Sequence, residues 1–161
     1  MTSQARAELK EETGAVESEI MEFTIGDQLF GIDVSQVREI MTAEPVKPMQ
    51  KSNMYVEGIY KPRDKVITVI NLSLFLELGA SDKPERDIYI ITDFKDGSYA
   101  FHVHTVVGID RISGAELKKP DPVIYGGREG VATGIVEHSG KLITILNFES
   151  IIAGICPDGE I

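Results

Sequence analysis

Two stretches of the chain, GIYKPRDKVITVINL at residues 58–72 and GIVEHSGKLITILNF at 134–148, align without a gap at an offset of 76 residues. Identical residues recur at Gly58/Gly134, Ile59/Ile135, Lys65/Lys141, Ile67/Ile143, Thr68/Thr144 and Asn71/Asn147. A weaker match precedes each: FGIDVSQV at 30–37 lies over YAFHVHTV at 99–106, at an offset of 69, pairing Ile32 with Phe101, Val34 with Val103 and Val37 with Val106. Both matches keep their order along the chain, so one structural plan is used twice.

Each copy reads as a hairpin, a second hairpin and a short helix. EFTIGDQLFGIDV (22–34) turns at Gly26-Asp27-Gln28, and DIYIITDFKDGSYAFHV (87–103) turns at Asp96-Gly97. The repeated GI segments supply the second hairpins. They run into NLSLFLEL (71–78) and NFESIIAGI (147–155), where Asn71 and Asn147 are placed to cap a helix start. Ser113 and Glu116 have the spacing of a capping box, which predicts one helical turn before Pro120 and a long loop after it, through Gly130.

In VITVINL, Val66, Ile70 and Leu72 point one way and Ile67 and Val69 the other; Leu142, Leu146 and Phe148 stand against Ile143 and Ile145 in LITILNF. Both faces are apolar, so both should be covered: one by the strand's own barrel, the other by the second barrel or a helix. The expected fold is mainly β, two small five-stranded barrels of SH3-like or OB-like type packed together, with short helices. Residues 1–19 read as a polar, acidic lead-in, helical or disordered, 20–155 as the duplicated domain and 156–161 as a tail. LGASDKPERD (78–87), polar and punctuated by Gly and Pro, is the expected boundary between subdomains.

At 161 residues the chain buries a core without staples, and its single Cys156 allows no internal disulfide and no CxxC motif. Its 26 acidic against 16 basic residues, a net charge of -10, repel a phosphate backbone, and no apolar run reaches the ~18 residues of a membrane span. Neither nucleic acid nor membrane insertion is expected. GGREG at 126–130 lacks the helix and the Lys-Ser/Thr of a phosphate loop, and no GxSxG nucleophile signature is present. His102 and His104, two apart on a strand, could present two metal ligands, but no third ligand is evident nearby. His138, in the turn EHSGK, reads as a solvated turn residue. No cofactor is expected and no catalytic group stands out; the site of action is a surface.

Residues 21–155 resemble the CheW-like coupling domain of bacterial chemotaxis, segment by segment: EFTIGDQLFGIDVSQVREIM, VEGIYKPRDKVITVINL and GVATGIVEHSGKLITILNFESIIAGI. The resemblance implies two five-stranded barrels with an apolar groove between them. It also implies a cytoplasmic, non-enzymatic adaptor, recruited to membrane-bound receptor arrays, that bridges chemoreceptor signalling tips to the regulatory domain of the histidine kinase CheA. Within the family, the acidic lead-in and the AGICPDGEI tail are similar to CheV, whose coupling domain precedes a receiver domain. Two readings follow, a stand-alone coupling protein or the coupling domain of a CheV-type adaptor.

The family's receptor-contacting positions fall on Val37 and Glu39 of QVREIM and on Arg63. Val37 suits core packing equally well, and Glu39 could be simply solvated. Arg63 is the strongest candidate, because a hairpin tip keeps its guanidinium fork free for a partner's carboxylate. The glycine that follows this arginine in the family is Asp64 here, which removes easy access to positive φ, while Pro62 fixes φ just before the arginine. Two readings from other classes compete: a small β-barrel oligonucleotide-binding module, disfavoured by charge, and a metalloenzyme centred on His102 and His104.

Overall fold

A computed structural model of the chain describes residues 17–49, 53–119 and 130–155. Eleven strands in the described residues form two sheets. In chain order they are β1 (Glu17–Ile25), β2 (Gln28–Asp33), β3 (Glu39–Thr42), β4 (Val56–Tyr60), β5 (Ile67–Asn71), β6 (Ile88–Phe94), β7 (Gly97–Val103), β8 (Thr105–Ser113), β9 (Leu117–Lys118), β10 (Ala132–His138) and β11 (Lys141–Leu146). Helix α1 (Leu72–Phe75) follows β5 and α2 (Phe148–Ile155) follows β11. The side chains of Asn71 and Asn147 accept from the backbone N–H groups of Leu74 (3.0 Å) and Ser150 (3.2 Å), so the two recurring asparagines cap the two helices. Ser113 and Glu116 form the capping box, on a 3-10 turn.

The order of the six-stranded sheet is β8-β1-β2-β11-β10-β9, and that of the five-stranded sheet is β3-β6-β7-β5-β4. Under the repeat, β1, β2, β10 and β11 correspond to β6, β7, β4 and β5, and β8 corresponds to β3, so the first five strands of the larger sheet follow the order of the smaller one and β9 is added at its edge. The copies are exchanged, however. The first copy's hairpin β1-β2 joins the second copy's β10-β11 through a parallel pairing of Phe30-Gly31 with Thr144-Ile145. The second copy's β6-β7 joins the first copy's β4-β5 through a parallel pairing that runs from Ile67/Ser98 to Asn71/His102.

This corrects the expected boundary. Residues 78–87 separate the copies in sequence but not in space, since β4-β5 before them and β6-β7 after them share one sheet. The chain changes sheets instead at Val34–Gln36, a 3-10 turn capped by Asp33, and at His104 between β7 and β8. A second difference is that β1 begins at Glu17, inside the stretch read as lead-in, because Glu17–Glu19 pair with Ser113–Arg111 of β8. Residues 1–16, most of the loop after Pro120 and the tail with Cys156 lie outside the described residues.

Each sheet curls around its own apolar cluster. Ile67, Val69, Tyr89, Ile91 and Ala100 fill the five-stranded one, and Ile20, Ile112, Val136, Ile143 and Ile145 the six-stranded one. Curling brings Asp110 of β8 within 4.0 Å of His138 of β10, although three strands separate those two in the sheet order. A larger core lies between the sheets, where Ile70, Leu72, Leu146 and Phe148 meet Phe23, Phe30 and Phe101. Phe101 stacks on Phe148 with ring centroids 3.8 Å apart, and Phe23 lies 5.8 Å from Phe30; aromatic pairs of this kind add about 1 kcal/mol each to simple burial.

The two faces of β5 and β11 therefore divide as the alternation requires, with one correction. Val66 and Leu142, expected to be covered, are 52% and 67% exposed. They sit at the turn ends of their strands, whereas Ile70, Leu72, Leu146 and Phe148, further along, reach the opposite sheet.

The recurring glycines have a packing cause. At Gly58 (φ +155°) a Cβ would be driven into the carbonyl oxygen of Lys47 and would lie 2.8 Å from its carbon and 3.1 Å from Pro48 Cα. At Gly134 a Cβ would meet the Leu117 side chain, with Cγ at 2.8 Å. In each sheet an extended segment crosses the outer edge of the GI strand: Lys47 bridges to Ile59, and β9 pairs with Ile135 and Val136. Both strands shift register at that glycine, between Val56 and Gly58 and between Ala132 and Gly134.

Candidate functional site

Arg63 occupies the tip of the β4-β5 hairpin, exposed and in the left-handed region at φ +57°. The turn closes through Lys65 N–H donating to the Pro62 carbonyl at 3.2 Å. The equivalent turn between β10 and β11 places both Ser139 (φ +52°) and Gly140 (φ +77°) in the left-handed region. Asp64, standing where that turn has Gly140, is not among the positive-φ residues, so the first turn has a different shape and its one left-handed position falls on the arginine. A non-glycine residue there costs about 1 kcal/mol, and such strain concentrates at functional positions. Among the described residues Arg63 makes no ion pair, and Asp64 beside it is exposed.

Val37 and Glu39 lie at the start of β3. Register carries them to the same end of the five-stranded sheet as Arg63. Glu39 opposes Ile91, Phe94 opposes Gly97 at the β6-β7 turn, Ile67 opposes Ser98, and Tyr60 opposes Ile67 at the Arg63 turn. The candidates thus share one end of one sheet. Val37 packs partly against the central core, and Glu39 is exposed. Pro62 is half-buried at the turn.

Sequence reasoning missed the group that organises this end. The Arg38 guanidinium donates to both Asp93 oxygens (2.9 and 3.1 Å) and to Glu39 Oε1 (3.1 Å), and the Ser98 hydroxyl donates to Asp93 at 2.5 Å. Asp93 is held below the usual carboxylate range, first by the Ser98 hydrogen bond and then by Arg38 and Lys65. Ile40 and Val66 add exposed apolar surface. The repeat alignment held a signal for this group, because Arg38 and Asp93 fall opposite the uncharged Val107 and Thr24.

At the same end of the six-stranded sheet, Leu29, Val107, Leu142 and Thr144 line a groove of about 540 Å3 rimmed by Asp27 and Lys141. In the same sheet Glu22 of β1 is buried at 6% exposure, hydrogen-bonded to Asp110 of β8. Burial, followed by that bond and the Asp110 charge, pushes its carboxyl up to about 7.

The two histidines considered as metal ligands are committed elsewhere. His102 Nδ1 contacts Glu57 Oε2 (2.6 Å), its Nε2 contacts Asp87 Oδ2 (2.7 Å), and His104 Nδ1 accepts from the Gly26 N–H (2.8 Å). Among the described residues no group of three or more His, Cys, Asp or Glu could hold a metal ion, and no helix is long and apolar enough to cross a membrane.

The same architecture is found in a solved structure, the scaffolding protein TtCheW from Thermoanaerobacter tengcongensis, with a TM-score of 0.73 at 23% identity over 82% of this chain and 90% of that one. Chemotaxis protein CheW of Thermotoga maritima is 29% identical over 136 residues, 84% of this chain and 88% of that protein. Chemotaxis protein CheV3 of Helicobacter pylori is 27% identical over 130 residues, 77% of this chain and 41% of that longer protein. The family model described as the CheW-like domain matches residues 19–156, which take in both sheets and both turn ends, and the chain belongs to that family.

Proposed function

We propose that the protein is a non-enzymatic chemotaxis scaffold that joins chemoreceptor signalling tips to the histidine kinase CheA, with one partner at each turn end. It would act in the cytoplasm, at membrane-bound receptor arrays. Arg63 carries this reading: an exposed guanidinium on a left-handed backbone position at a hairpin tip, with the Arg38-Asp93-Ser98 brace and Glu39 at the same end. A planar donor fork projecting from a rigid sheet suits a carboxylate on a helical receptor hairpin, and Val37, Glu39, Pro62 and Asp64 complete that surface.

The second partner takes the apolar end at Leu29, Val107 and Leu142. The kinase's regulatory domain, which the family resemblance gives the same fold, has corresponding sheet ends with which to meet it. Coupling then needs no chemistry on this chain, only two partners that bias one rigid frame. Co-sedimentation with a receptor signalling fragment and the kinase regulatory domain tests this. Retention of both together is expected, and retention of neither overturns it.

A further inference from the structure

His102 stands on β7 between two carboxylates from different parts of the chain. Glu57 reaches it from the edge strand β4, across the end of β5, and Asp87 from the linker just before β6. Asp87 is 3% exposed and its other oxygen accepts from the Ser81 hydroxyl at 2.5 Å. The Tyr89 ring meets the imidazole edge-on at 5.4 Å, and its phenol donates to the Glu44 carbonyl. His104 lines the same cleft of about 350 Å3. In the six-stranded sheet the equivalent positions are Asp33, Thr133 and Ser18, so this arrangement was not inherited from the duplicated plan.

We propose that His102 is a proton-operated tie: with both ring nitrogens protonated it holds β4, through Glu57, and the linker, through Asp87, against β7, and loss of one proton releases Glu57 and loosens β4. A neutral imidazole has one N–H, so it can donate to only one of the two carboxylates. Asp87, only 3% exposed and also held by the Ser81 hydroxyl, keeps the remaining N–H. Glu57 is about a quarter exposed at its side chain and turns outward.

Burial opposes a charge on the ring, but the Glu57 hydrogen bond and charge, followed by those of Asp87, outweigh it and hold His102 above its ordinary value of 6.5. The tie is therefore fully made below about pH 6.5 and is lost as pH rises through the folded-state value.

Amide hydrogen exchange of Val56–Tyr60, corrected for intrinsic rates, tests this between about pH 6 and pH 9.5, together with ring-nitrogen chemical shifts of His102. The wild-type protein is expected to show an imidazolium at the lower pH and to lose at least roughly tenfold protection in β4 at the higher. Glu57→Gln, whose amide can donate to a neutral ring, is expected to stay protected at both. His102→Gln is expected to show no pH dependence. A neutral ring at the lower pH, or a wild-type β4 equally protected throughout, overturns the proposal, as does the same loss in His102→Gln.

Discussion

At the turn end of the five-stranded sheet Arg38, Asp93, Ser98 and Lys65 form a charged group, with Arg38, Asp93 and Ser98 directly hydrogen-bonded and the Lys65 charge acting on Asp93. The equivalent positions in the six-stranded sheet, Val107, Thr24, Leu29 and Lys141, instead line an open groove of mixed polar and apolar character. Inside the sheets the asymmetry runs the other way. The six-stranded sheet buries Glu22 against Asp110 where the five-stranded one has Ile91 and Met41. Strand order, helix caps, the register shift at the recurring glycine and the edge-covering segments were kept by both copies. What changed is the chemistry of the ends, which is what the proposed assignment of one partner to each end requires.

The largest losses of stability are expected at the shared glycines. Gly58→Ala forces a Cβ against backbone at Lys47 and Pro48 in a conformation that alanine resists, and is expected to cost about 3 kcal/mol. Gly134→Ala presses mainly on the movable Leu117 side chain, and is expected to cost about 1 kcal/mol. Urea unfolding of both variants checks the order, and equal losses would mean that the two edges are packed alike.

Next comes the buried carboxyl. The raised value of about 7 for Glu22 lies above the ordinary 4.5, so its contribution is intact below pH 4.5 and declines as pH rises through about 7. Glu22→Ile, which copies the residue of the other sheet, is expected to stabilise the protein at pH 8 by about 2 kcal/mol and to have little effect at pH 5. Parallel denaturation curves at the two pH values would show no such penalty.

Arg63→Gly separates backbone from side chain at the first turn. It is expected to preserve or raise stability by up to about 1 kcal/mol, since glycine relieves the left-handed φ, while weakening receptor-fragment binding at least about tenfold. The smallest effect is expected from Asp93→Asn, which loosens an exposed ion pair and costs about 0.5 kcal/mol near neutrality. The depressed Asp93 value puts its contribution above pH 3.8, so the difference from wild type should vanish as pH falls below that.

What could be read in the sequence follows from how local each cause is. Asn71 and Asn147 cap helices within three residues of themselves, and Gly58 and Gly134 recur at a fixed spacing, so caps, hairpins and duplication were all legible. The exchange of hairpins was not. It rests on the parallel pairing of Phe30 with Thr144, and alternating Ile, Val and Thr carry no label for their neighbouring strand. Arg63 was legible as a hairpin tip, and the missing glycine at Asp64 signalled an altered turn. That Arg38 and Asp93 would join Glu39 at the same end depended on the pairing of β3 with β6, strands far apart in the chain. The Glu57-His102-Asp87 group draws on three distant segments and left no pattern along the chain.

The two-ended account is tested most directly by three-component co-sedimentation of receptor signalling fragment, kinase regulatory domain and this protein, comparing wild type with Arg63→Glu and Leu142→Glu. Wild type is predicted to retain both partners at once. Arg63→Glu should lose the receptor fragment and keep the kinase domain, and Leu142→Glu should do the reverse, both with unchanged melting temperatures. Loss of both partners from either correctly folded variant, or retention of both by each, would contradict the assignment of one partner to each end.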